Sequence, residues 1–183
     1  MKDSPLPDMY DKIEKESSSL ANLVSKIPGF QGYIERSRRR EADQLLRQTI
    51  AARLEETRLQ LSAVQQELSR DIVKAIEYAE PIGRADTKLV GLIGKIRDAP
   101  QGYAGFFDAV KVREEDLARI YDFDETMLAE ADEIAADVDA LEKATREDGD
   151  IGAQIKELDD TLRQANSVFN SRQEVISDVE QVG

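Results

Sequence analysis

The chain has 183 residues, with 38 acidic side chains against 25 basic ones, a formal net charge of −13, and neither cysteine nor histidine. That composition excludes disulfides, thiolate metal sites and cysteine nucleophiles, and it removes the usual general base and the commonest transition-metal ligand. A charged fraction of 34% with no tryptophan favours long helices over an aromatic-rich β-sandwich.

Residues 1–7 read as a disordered N-terminus, with Pro5 and Pro7 in an extended entry. Tyr10, Ile13, Ser17, Leu20, Val24 and Ile27 then step by threes and fours, which predicts a helix over 8–27. Pro28-Gly29 ends it. No Gly or Pro interrupts residues 34–80, and a seam runs from Ile50 through Leu54, Thr57, Leu61, Val64, Leu68, Ile72, Ala75 and Ala79. This predicts one helix of about 70 Å, stopped by Pro81. A shorter helix is expected over 86–98, apolar at Leu89, Val90, Leu92, Ile93 and Ile96. Its Gly91 and Gly94 cost roughly 1 kcal/mol each relative to alanine, for which close backbone packing would compensate.

After the break APQGYAGFFDAV, a helix over 113–147 carries the seam Leu117, Ile120, Asp124, Met127, Ala131, Ile134, Val138 and Leu141. The turn EDGDIG follows, with Gly149 suited to the C′ position and Asp150 to capping the next helix. The last helix, 151–181, has the most regular repeat: Ile151, Ile155, Leu158, Leu162, Ala165, Phe169, Arg172, Ile176 and Val179. Asp124 and Arg172 are polar residues in apolar seams, positions that set register or oligomeric state.

The expected fold is therefore all-α: an elongated bundle of coiled-coil-like helices, four long and one short, in a single domain over 8–183. In the favoured path, 113–147 continues the line of 86–98. In the other, the chain reverses near 100–105.

Two Gly-rich breaks hold half of the aromatic residues: Phe30 and Tyr33 in PGFQGY, and Tyr103, Phe106 and Phe107 in PQGYAGFF. Rings in such breaks usually close the end of a hydrophobic core, and the sharper reading is an exposed patch for a partner or a membrane interface. Beside the first break stand Arg36, Arg38, Arg39 and Arg40. Helical spacing wraps these arginines around the helix, with Glu35, Glu41 and Asp43 in reach for pairing. Residues 113–160 carry 18 acids against 5 bases and offer further counter-charge. A solvated or internally paired cluster is the plainer reading. Arg36, Arg38, Arg39, Arg40, Phe30 and Tyr33 are the candidates for contacting an anion or a partner. The stretches IPGFQGYIERSRRREADQLLR and GYAGFFDAVKVREEDLARIYDFD resemble a pattern carried by uncharacterised bacterial all-helical proteins. The resemblance implies a bacterial cytosolic origin and brings no activity, cofactor or site residue with it.

There is no phosphate loop, and a di-iron carboxylate bundle would need histidine. Asp148-Gly-Asp150 starts like a calcium loop, but Gly152 and Ala153 stand where a ligand and the turn glycine belong. No catalytic residue, cofactor, metal or small-molecule substrate is expected, and the acidic charge argues against nucleic acid. The N-terminus MKDSPLPDMYDKIEK is unlike a secretory leader and no run of about 18 apolar residues occurs, so a cytoplasmic protein is expected. The expected function is non-enzymatic: an interaction or scaffold protein acting by self-association or by binding a partner helix. The alternative is a peripheral protein that contacts anionic lipid through the Arg36–Arg40 end and the aromatic loops.

Overall fold

The computed structural model describes residues 25–26, 39–98 and 114–182, with described side chains at 25–26, 44–98, 120–172 and 174. The chain is all-α. Four long helices account for most of the described residues: α1 (Arg39–Leu68), α2 (Ile72–Asp98), α3 (Glu114–Arg146) and α4 (Ile151–Val182). The expectations for residues 1–7, for most of helix 8–27 and for the aromatic breaks lie outside the described residues.

Two compact units are formed, and each is built around its own contacts. The larger comprises Arg47–Pro100 and Met127–Ser171. Within it, α1 and α2 form an antiparallel hairpin: Arg58 Nε donates to Asp86 Oδ1 at 3.1 Å, and Arg97 pairs with Glu55 at 2.8 Å. Advancing along α1 from 55 to 58 therefore means retreating along α2 from 97 to 86. The pairs Lys88–Asp159 and Lys95–Asn166 advance together, so α2 and α4 run parallel. Arg53 reaches Asp132 at 2.9 Å and sets α3 beside α1. The tight turn into α4 at Ile151 makes α3 and α4 antiparallel. The result is an up-down-up-down four-helix bundle. Its helix order overturns the path in which 113–147 continues the line of 86–98, because α2 and α3 point in opposite directions.

The core of this unit follows the predicted seams closely. Ile50, Leu54, Thr57, Leu61, Val64 and Leu68 of α1 are buried, as are Met127, Ala131, Ile134, Val138 and Leu141 of α3. Ile151, Ile155, Leu158, Leu162, Ala165 and Phe169 supply the α4 side. Buried threonines keep their hydroxyls satisfied inside their own helices, Thr57 donating to the Arg53 carbonyl and Thr145 to that of Leu141.

Three local expectations are corrected. First, the 34–80 helix is interrupted. Asp71 accepts from the Val73 and Lys74 amides at 2.8 and 3.2 Å, which caps a new helix at Ile72. The preceding turn closes by Arg70 N to the Glu67 carbonyl and Asp71 N to that of Leu68. Second, α2 runs straight through Pro81, so 86–98 is the second half of a 27-residue helix and not a short helix of its own. Proline removes one intrahelical hydrogen bond there, and the buried Ile82, Ala85, Leu89, Leu92 and Ile96 outweigh that loss. Third, a Cβ built on Gly91 or Gly94 meets nothing within 4 Å, so no close neighbour among the described residues explains these glycines.

At the α3–α4 turn, Asp150 caps α4 as its sequence position predicts, accepting from the Ala153 amide at 2.9 Å. The left-handed residue is Asp148, with φ of 54°, rather than Gly149. Gly149 meets a different demand: its amide donates to the Ala144 carbonyl at 2.8 Å, and a Cβ there would lie 3.3 Å from the Ala144 Cα.

The second unit comprises Met1–Leu46, Gln101–Thr126 and Arg172–Gly183. Among its described side chains, Leu46, Ile120, Asp124 and Arg172 are buried. Arg172 Nε donates to Asp124 Oδ1 at 2.6 Å.

Candidate functional site

The interruption at 69–71 creates the most conspicuous surface of the bundle. Once α2 starts at Ile72, its first turns project past the α1 seam that the uninterrupted helix would have continued. Ile72, Val73 and Ile76 are left 77%, 70% and 79% exposed. A single exposed isoleucine is unremarkable, but three large apolar side chains at i, i+1 and i+4 form one patch.

On the same end, α1 and α2 enclose a groove of about 420 Å³. Its floor is Leu68 and Ile82, and one wall is Ala75, Tyr78, Ala79 and Gly83 of α2. Gln65 and Ser69 form the opposite lip. The groove is open above Gly83, where an added Cβ would meet nothing within 4 Å. Desolvation, then a hydrogen bond to Glu77, holds the Tyr78 phenol above its ordinary pKa, so it is a neutral donor at physiological pH.

Charge around the groove is balanced. Residues 58–88 hold five acids and five bases. The cations are engaged within the chain: Arg70 with Glu67, Arg84 with Glu80, and Arg58 with Asp86. Lys74 turns away to Asp148, whose carboxyl it holds below the usual range while its own ammonium is raised.

A second polar feature lies between α3 and α4. Glu130 is buried, and its Oε2, like Oδ2 of Asp137, has no hydrogen-bond partner. Burial pushes both carboxyls up, with Glu133 adding to the rise, while Gln164 and Thr161 respectively offset part of it. Among the described residues no group of three acidic side chains is placed to hold a metal. The calcium-like loop is occupied otherwise, since Asp148 pairs with Lys74 and Asp150 caps α4.

Of the residues singled out from sequence, Phe30, Tyr33, Arg36 and Arg38 lie outside the described residues. Arg39 and Arg40 form the first two positions of α1. The Ile72–Gly83 surface was missed because Ile72, Ala75 and Ala79 were assigned to a core seam. A signal was present: Ile72, Ile76, Ala79, Gly83 and Val90 repeat at heptad spacing beside the buried Ile82, Ala85, Leu89 and Leu92 set, so α2 carries two apolar seams.

Among the described residues, no helix is long and apolar enough to cross a membrane. No protein-family model, curated protein or solved structure matches the chain.

Proposed function

We propose that the protein acts by binding and not by catalysis, as a helical-bundle interaction or scaffold protein that associates with itself or with a partner helix. The observation that carries this reading is the exposed apolar patch of Ile72, Val73 and Ile76 beside an open groove. An apolar surface of this kind costs solubility unless something covers it. Its helical ridge and groove suit another helix, the partner type that bundles accommodate by seam packing. Helices of 27 to 33 residues with repeating seams also support an elongated, coiled-coil-like character. A bacterial cytoplasmic setting belongs to the same proposal.

Sedimentation velocity of the fluorescently labelled full chain tests it, alone over a concentration series and in cell extract. The expected result is a species heavier than the monomer in at least one condition, reduced by Ile76→Asp. A monomer in every condition overturns the reading.

A further inference from the structure

We draw no further inference here: the strongest candidate, the exposed apolar face of Ile72, Val73 and Ile76 at the start of α2 with the groove beside it, carries nothing more because nothing in the structure shows what covers it.

Discussion

Arg172 and Asp124, 48 positions apart on α4 and α3, form an ion pair whose side chains are 2% and 1% exposed. Each occupies a seam position where an apolar residue would be expected, and each is the other's partner. Removing one takes a close counter-charge away from the other's buried charge. Asp124→Ala should therefore cost about 3–5 kcal/mol, measured by denaturant unfolding. The double replacement Asp124→Leu/Arg172→Met removes both charges and should fall near the wild type or above it. If the double variant is as unstable as the single one, the pair contributes more than mutual compensation, and its role in fixing register becomes the better account.

Glu130 and Asp137 give the bundle a pH dependence whose sign can be worked out. Their folded-state pKa values are raised, chiefly by burial. The stability at stake is fully present below the unfolded-state values and is lost as pH rises through the folded ones. Wild-type melting temperature should accordingly rise on moving from neutral towards mildly acidic pH. Glu130→Gln and Asp137→Asn should stabilise the protein at pH 7, with an advantage that shrinks as pH falls. A constant advantage at all pH values would assign the gain to packing and not to ionisation.

The seams and caps were legible in the sequence because they depend on local periodicity and single side chains. Ile151 to Arg172 lies buried where steps of four and three place it, and Asp150 caps α4. The hairpin at 69–71 was not legible from Gly and Pro alone. Ser69-Arg70-Asp71 makes that turn with a serine hydroxyl on the Gln66 carbonyl and an aspartate cap. Pro81 misled in the opposite direction, since tertiary burial around Ile82 and Ala85 holds the helix together across it. The exposed apolar patch was hidden by the same error. Continuing the α1 seam to Ile72 assigns to the core a residue that the turn turns outward.

Gly91 and Gly94 should be improvable. Both sit inside α2, and a methyl group at either meets nothing within 4 Å. Gly91→Ala and Gly94→Ala should each stabilise by about 0.5–1 kcal/mol, through reduced unfolded-state freedom and better helix propensity. Thermal unfolding of the two single variants and the double variant checks this. A loss of stability would mean that something covers those positions in solution.

Folding should not depend on a metal. Asp148 and Asp150, the first acids of the calcium-like loop, are committed to Lys74 and to the α4 amides. A chelator should leave the melting curve in place. A fall of several degrees that calcium restores would reassign the loop.

The turn between α1 and α2 makes a prediction whose sign separates two structures. If residues 34–80 formed one continuous helix, Asp71 would be an interior position, and alanine there would stabilise by a few tenths of a kcal/mol through propensity. In the hairpin, Asp71 is the N-cap that satisfies the Val73 and Lys74 amides, with its own carbonyl accepting from Ala75 at 2.8 Å. Asp71→Ala should then destabilise by about 1 kcal/mol, while Asp71→Asn or Asp71→Ser should retain most of the wild-type stability. Asp71 is exposed and outside the core, so little besides the cap changes. Denaturant unfolding of the three variants reads the order directly. Wild type above asparagine and serine, with alanine lowest, is the order the hairpin requires. Alanine highest would restore the continuous helix and remove the exposed start of α2 on which the interaction reading rests.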